Sequence, residues 1–503
     1  NRDCGGGRAG RHECAVGGLA MMMQAARSTF PSRSSLRQLA LAVGAFLTAC
    51  ANVVPPASDI RAAGAVESAF VVVGAAGARL ARLITTDDAC PAIAVDDKTT
   101  RMQLRAAPAT IAQRPTRSDP ADSKPSAFPV RVCDLSLPRD ASRAIVAGRS
   151  LPLSTREPKR IVVIGDTGCR LKASEDAFQA CNDGEQWPFA TIAAAAAATL
   201  PDLVIHVGDY HYRENACPAG NEDCANNPWG YGWDAWDADF FVPARPLLAA
   251  APWIFVRGNH ESCNRAGQGW WRFLDFRPRV DGRDCNRASD DERGDYSDPY
   301  AVPISGDTQI VVFDSSRVGV RALLPSDPMY RNYAAELGMA FALSRNVAEN
   351  LFVSHHPILG FAPDVSRPAP AVYPGNEALQ SVLAPINGPS LFPSNVQALI
   401  AGHNHLFEMV SFVSAHPTQL ISGNGGTWAD APLPSPLPTG ASVAPGTVVE
   451  TIASTSRYGF MVLERDPDRS DLWRVEARDV HGQLMTICIL RNGKTKCATG
   501  TPP

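Results

Sequence analysis

The chain carries almost no excess charge: 47 basic and 51 acidic side chains leave a formal −4 over 503 residues. That balance gives no ground for a nucleic-acid partner. No CxxC spacing occurs, so the 13 cysteines do not read as a zinc cluster. No Gly-x-Ser-x-Gly elbow is present, which removes the usual serine hydrolase. The glycines at Gly74 and Gly77 lack the lysine of a phosphate-binding loop. Internal repeats are absent. The apolar run Leu39 to Ala49 is too short to span a bilayer comfortably.

What is present is ordinary globular composition, 45% hydrophobic and 19% charged, enough for one large core or two to three domains. Residues 1–20 precede the start-like Met21 to Met23 and are set aside from the fold. Arg27, Arg33 and Arg37 then lead into the apolar run, the pattern of a secretory signal. Its end, Leu47-Thr48-Ala49-Cys50, resembles a bacterial lipobox, in which Cys50 becomes a lipidated N-terminus; an ordinary cleaved signal is the alternative. The expectation is an exported bacterial protein of the periplasm or cell envelope, tethered through Cys50. Ten further cysteines fall into five neighbouring couples, and the simplest disulfide scheme pairs each with its neighbour, with free buried thiols as the alternative.

Along the chain, 1–50 reads as extension and signal, and 51–65 as a tether rich in Ala, Pro and Ser. Residues 66–155 read as a small mostly-β domain without a catalytic constellation, in which Ala107 to Ser126 is loop. Residues 156–503 change character. Apolar runs at Ile161 to Ile164, Leu203 to Val207, Trp253 to Val256, Ile310 to Phe313, Leu351 to Val353 and Ala398 to Ile400 alternate with helical stretches at Phe189 to Leu200, Asp234 to Leu248 and Tyr333 to Leu343. Buried strands alternating with helices predict an α/β layered domain with polar residues at the strand ends. Ala431 to Gly446, with its prolines, reads as an exposed loop near the site, and Trp473 to Cys497 as two or three terminal strands.

Five motifs follow apolar runs in order: Gly165-Asp166-Thr167-Gly168, Gly208-Asp209-Tyr210-His211-Tyr212, Gly258-Asn259-His260-Glu261, Ser354-His355-His356-Pro357 and Gly402-His403-Asn404-His405. Singly each is weak; a turn or a core histidine explains it as well. Together they suit phosphate-ester hydrolysis, which needs charge neutralisation and an activated water. Two metal ions about 3.5–4 Å apart supply both. Carboxylate, amide and imidazole donors favour Fe, Mn and Zn, and Asp209 is placed to bridge the ions.

These motifs resemble the metallophosphoesterase (calcineurin-like phosphoesterase) superfamily, and within it the purple acid phosphatases, over roughly residues 160–465. Many superfamily members carry DxH at the first motif. Here Asp166-Thr167-Gly168 lacks that histidine, while Tyr212 completes a GDxxY pattern, the joint change that marks the purple branch. The resemblance implies an α/β/β/α fold, a layered β-sandwich flanked by helices, with a small N-terminal mostly-β region. It implies that Asp166, Asp209, Tyr212 and His405 hold Fe(III), and that Asp209, Asn259, His403 and His355 hold a divalent Zn, Fe or Mn ion. His355 is preferred to His356 because the family ligand precedes Pro by two positions; His356 then lies behind the ligands or faces substrate. His260 is implied to bind the phosphoryl group and protonate the leaving oxygen, and Glu261 to orient His260.

His211 either lines the pocket or faces solvent at a strand end. Tyr210 is the rival to Tyr212, and His206 reads as a core histidine. Trp229, Tyr231, Trp233 and Trp236 read either as an aromatic wall for substrate or as plain packing. The implied activity is phosphomonoester hydrolysis of a small phosphorylated substrate by a metal-bridging hydroxide. The alternatives are a phosphodiesterase on nucleotides or lipid headgroups, and a non-catalytic surface-binding lipoprotein. Long insertions at Cys217 to Trp236 and Cys263 to Asp298 depart from the family pattern and leave its substrate preference open.

Overall fold

A computed structural model describes residues 66–153, 157–469 and 471–498. The signal, lipobox and tether expected over residues 1–65 lie outside the described residues. Eighteen strands and four helices frame the site. The strands are β1 (Val66–Val73), β2 (Arg79–Thr85), β3 (Gln103–Ala106), β4 (Arg131–Leu137), β5 (Arg160–Ile164), β6 (Leu203–His206), β7 (Trp253–Phe255), β8 (Tyr300–Pro303) and β9 (Thr308–Val312). They continue with β10 (Glu349–Val353), β11 (Val396–Ala401), β12 (Phe407–Phe412), β13 (Thr418–Ser422), β14 (Val449–Thr455), β15 (Gly459–Arg465), β16 (Leu472–Asp479), β17 (Leu484–Arg491) and β18 (Lys494–Cys497). The helices are α1 (Phe189–Ala198), α2 (Arg245–Ala250), α3 (Pro328–Ser344) and α4 (Glu377–Asn387).

Two sheets dominate. One runs β18-β17-β16-β15-β5-β6-β7-β1-β2-β4-β3, the other β8-β9-β10-β11-β13-β12-β14. Strands β5, β6 and β7 are mutually parallel, with Ile161 opposite Leu203 and Ile205 opposite Ile254. Strands β9, β10 and β11 are parallel in the second sheet. These strands are apolar along their length because both faces are covered. Val163, Ile205 and Ile254 point inward and meet Ile310, Leu351, Ile400 and Leu420 of the opposite sheet. Val162, Ile164 and Val204 point outward and bury against Phe189, Ile192 and Leu247 of α1 and α2. Val311, Phe352 and Leu399 bury against Leu337, Phe341, Leu379 and Leu383 of α3 and α4. The order of layers is α/β/β/α.

The small domain expected over 66–155 does not stand apart. Strand β1 pairs parallel with β7, and β2, β4 and β3 extend the same sheet. The seam carries buried Arg82, which pairs with Asp134 (2.8 Å) and donates to the Phe273 and Asp275 carbonyls. Within residues 66–155 two small sheets are separate: a four-stranded one of Ala92–Val95, Lys98–Arg101, Ala144–Val146 and Arg149–Ser150, and a two-stranded one of Ala109–Ile111 and Ser126–Phe128, whose first strand falls in the stretch expected to be loop.

The helix expected over Asp234 to Leu248 is broken into Trp233–Trp236, a wide turn Asp237–Phe241, and α2. Pro243 and Pro246 remove the backbone donors that a continuous helix needs. Ala431 to Gly446 has no regular element, yet it buries Val443 and Ala444 rather than lying fully exposed. All five disulfides join neighbours: Cys90–Cys133, Cys169–Cys181, Cys217–Cys224, Cys263–Cys285 and Cys488–Cys497. They fit an oxidising compartment. Among the described residues no helix is long and apolar enough to cross a membrane.

Candidate active site

Five parallel strands from the two sheets, β5, β6, β7, β10 and β11, end at the five motifs, so their carboxyl ends gather the polar residues where α/β sheets place sites. The backbone there is strained. Asp166 (φ 57°), Asp209 (φ 58°) and His403 (φ 70°) are all left-handed. Such conformations cost about 1–3 kcal/mol each and persist where the surroundings enforce them. Two glycines make the close approach possible. Gly208 is itself at φ 104°. A Cβ at Gly258 would stand 2.1 Å from Asp209 Oδ1.

Two clusters share one carboxylate. In the first, Tyr212 Oη lies 3.2 Å from Asp166 Oδ1, 3.0 Å from Asp209 Oδ2 and 3.0 Å from His405 Nε2. In the second, Asn259 Oδ1 lies 2.9 Å from His355 Nε2 and 3.0 Å from His403 Nδ1, and His355 Nε2 lies 3.2 Å from Asp209 Oδ2. Asp209 Oδ2 therefore faces both. The outer nitrogens of two rings are tied back: His355 Nδ1 to the Val207 carbonyl (2.8 Å) and His405 Nδ1 to the Trp428 carbonyl (2.8 Å). That leaves each Nε2 directed inward. His356 hydrogen-bonds Ser315 Oγ through Nδ1 (3.0 Å), and it also offers a nitrogen within 4.8 Å of those of His355 and His403.

Burial pushes the Asp166 carboxyl well above its usual range. Burial also acts to raise Asp209, but His355 and His260 outweigh it and hold this carboxyl well below. Burial, helped by Asp209 and Asp166, pushes the Tyr212 phenol up. Burial brings His403 and His405 down to about 3, so both are neutral imidazoles at pH 7. Among the described residues, no Lys or Arg forms an ion pair with Asp166 or Asp209. Asp209 raises His355 to about 9 against the effect of burial, so this ring gives up a proton when it binds a cation. Two carboxyls, a phenol, an amide oxygen and three imidazoles in one buried spot are a donor set that fits metal cations of the Fe, Mn and Zn kind.

Glu261 does not orient His260 as expected. Its carboxylate accepts from the backbone N–H groups of Asp209 (3.0 Å), Gly258 (3.1 Å), Tyr210 (2.9 Å) and His211 (3.3 Å), and so fixes the turn that carries Asp209. Burial and Asp209 push this carboxyl up to about 8. The N–H donors of Tyr210 and Asp209 pull the other way, toward the ionised form, without cancelling the rise. Asp239 is a second clamp that the sequence did not flag: it accepts from the N–H groups of Cys169 (3.0 Å), Tyr212 (2.7 Å) and Arg213 (3.1 Å).

His260 is flanked by another pair missing from the motifs. Glu214 Oε1 lies 3.0 Å from His260 Nδ1, and Arg265 Nη2 lies 2.6 and 2.7 Å from the two ring nitrogens while pairing with Glu214. Burial and then Arg265 hold His260 well below the ordinary imidazole value. Its ring packs 3.8 Å from that of Tyr212. No local pattern marks Glu214 or Arg265, since each matters only through its spatial neighbour.

The remaining candidates fall away from the clusters. Tyr210 Oη donates to the Val256 carbonyl (2.9 Å), and its ring stacks 3.9 Å from His206, whose Nε2 meets Thr167 Oγ1 (3.0 Å). His211 is buried against Tyr231 and Trp236, not solvent-facing. Trp233 and Trp236 pack on Phe241 and Phe273 in the core. Tyr231 Oη donates to Glu214 (3.1 Å).

Comparison with known proteins agrees with this geometry. Residues 159–407 match the family described as calcineurin-like phosphoesterase. No curated protein matches the chain. Among solved structures, a purple acid phosphatase from yellow lupin (Lupinus luteus) seeds superposes with a TM-score of 0.50 at 15% identity, covering 85% of this chain and 74% of that one. PhoD gives a TM-score of 0.48 at 10% identity, covering 87% and 92%. A dimetal phosphatase from Danio rerio gives 0.35 at 11%, covering 66% and 99%. At such identity the lupin likeness speaks for the fold alone. The family match, over the residues that build the two clusters around Asp209, identifies the chain through residues 159–407 as a calcineurin-like phosphoesterase, a metal-dependent phosphoric ester hydrolase.

Proposed function

We propose that the chain is a phosphomonoesterase of the purple acid phosphatase kind. Asp166, Asp209, Tyr212 and His405 would hold Fe(III), and Asp209, Asn259, His355 and His403 a divalent Zn, Fe or Mn ion. When bound, the two ions neutralise phosphoryl charge and lower the pKa of the attacking water. The observation that carries this reading is Tyr212 Oη, which lies within 3.2 Å of Asp166, Asp209 and His405 together. No other phenol enters the clusters among the described residues.

The chain's own groups supply the rest. The Glu261 and Asp239 carboxylates hold the Asp209-to-Arg213 backbone rigid, so the donors need little reorganisation when substrate arrives. His260, neutral at pH 7 under burial and Arg265, carries one ring proton, which Nδ1 gives to the Glu214 carboxylate at 3.0 Å. Its Nε2 is then an acceptor, for the N–H of Arg265 (2.7 Å) or the O–H of a protonated phosphoryl group. His356 supports His403 across a ring distance of 4.3 Å.

The test is optical. Iron-loaded protein is expected to absorb visible light through the Tyr212 phenolate, and Tyr212→Phe should abolish the band while leaving the fold intact. An iron-containing preparation that hydrolyses phosphate esters without colour would refute the tyrosinate assignment.

A further inference from the structure

A groove of about 480 Å³ opens beside the histidines of the second cluster, and the motifs do not account for it. His356, Pro357, His403 and Asn404 form its floor, and Val320 and Tyr373 stand on its walls. One wall is the loop that follows β9; the other is the short hairpin Ala362–Pro363 and Val372–Tyr373, which leads into α4. Two hydrogen bonds link these segments: Asn376 Nδ2 donates to the Gly319 carbonyl (3.0 Å), and the Leu323 N–H donates to Ser381 Oγ (2.9 Å). The loop is thereby tied to the start of α4, just after the hairpin.

The chemistry of the lining is specific. Val320 is 69% exposed and Tyr373 48% exposed, so both leave apolar surface in water. Arg321 and Glu377 at the rim carry opposite charges and give the groove no net preference for a charged occupant. The volume falls in the range of small-molecule sites, about 300–1,000 Å³. The opposite flank, at His260, is taken up by the Glu214–Arg265 pair.

We propose that this groove receives the organic group of the phosphate ester, and that this group is uncharged and largely apolar. The inference rests on the phosphoesterase reading and adds a substrate class to it. A phosphoryl group at the clusters then extends its ester chain over His403 and Pro357 between Val320 and Tyr373.

Linear alkyl phosphates from ethyl to octyl test this, because their leaving groups differ little in acidity while their apolar area grows. With the metal-loaded chain, kcat/KM is expected to rise about two- to fourfold per added methylene until the groove is filled, the upper figure being full burial of each methylene. Inhibition constants of the matching alkylphosphonates should fall in parallel, a readout independent of turnover. Val320→Asp, at an exposed position, should collapse the octyl-to-ethyl ratio toward one in both measurements. Hydrolysis of ethyl phosphate with a flat series would overturn the inference, as would a steep series that survives Val320→Asp. Absence of turnover for every ester tried would instead overturn the phosphatase reading beneath it.

Discussion

Replacing Glu261 by Gln separates a positioning role from incidental burial. Each carboxylate oxygen accepts two backbone N–H groups: Oε1 those of Tyr210 and His211, and Oε2 those of Asp209 and Gly258. A glutamine keeps one oxygen and turns an NH2 group toward the other two donors. Two buried N–H groups then lose their acceptor, at about 1–3 kcal/mol each. The expected loss is roughly 2–6 kcal/mol, a large share of a typical 5–15 kcal/mol stability. The turn carrying Asp209 should loosen as well, so aryl phosphate turnover should fall more than metal-ligand chemistry alone would require. Denaturant midpoints and initial rates on wild type, Glu261→Gln and Glu261→Asp measure both effects. A Gln variant whose midpoint and rate match wild type would refute the clamp.

Further expectations concern other parts of the framework. Gly258→Ala would place a Cβ 2.1 Å from Asp209 Oδ1; bound metal per chain, measured by elemental analysis, should drop while circular dichroism stays near wild type. Glu408 in β12 is fully buried and accepts from the Phe361 N–H (3.1 Å), and burial raises it to about 8 from an ordinary 4.5. Its folded form holds the proton more tightly than the unfolded chain does. The associated stability is therefore complete below pH 4.5, declines from there to about 8, and amounts to at most about 5 kcal/mol. Glu408→Gln should match wild type at pH 4.5 and melt higher at pH 8.5; equal melting at both would contradict the shift. Removing Cys263–Cys285, which closes a 22-residue span beside the His260 segment, should lower stability by about 3 kcal/mol, read from melting of the double Ser variant.

The layered fold was legible because its central strands are covered on both faces. Continuous apolar runs such as Ile161 to Ile164 and Leu203 to Val207 admit few other readings, and each ends at a polar motif. The cysteine couples were legible because each pair closes a short local span. The integration of 66–155 into the main sheet was not, because β1 reaches β7 across about 180 residues and nothing local announces such pairing. The same limit hid Glu214, Arg265 and Asp239. Each is an unremarkable charged residue in sequence and gains meaning only from the group it faces. Glu261 was visible in its motif, but its partner was misread, since a carboxylate beside a histidine in sequence gives no sign that four backbone donors surround it in space.

Asp209, on the proposed function, joins two metal ions in one phosphate-ester-hydrolysing site. Metal content and hydrolysis of an aryl phosphate monoester and its matching diester, measured on metal-loaded protein and on Asp209→Ala, decide this. Two ions per chain with monoester turnover are expected in the wild type, and loss of both in the variant. Undiminished turnover by Asp209→Ala would contradict it.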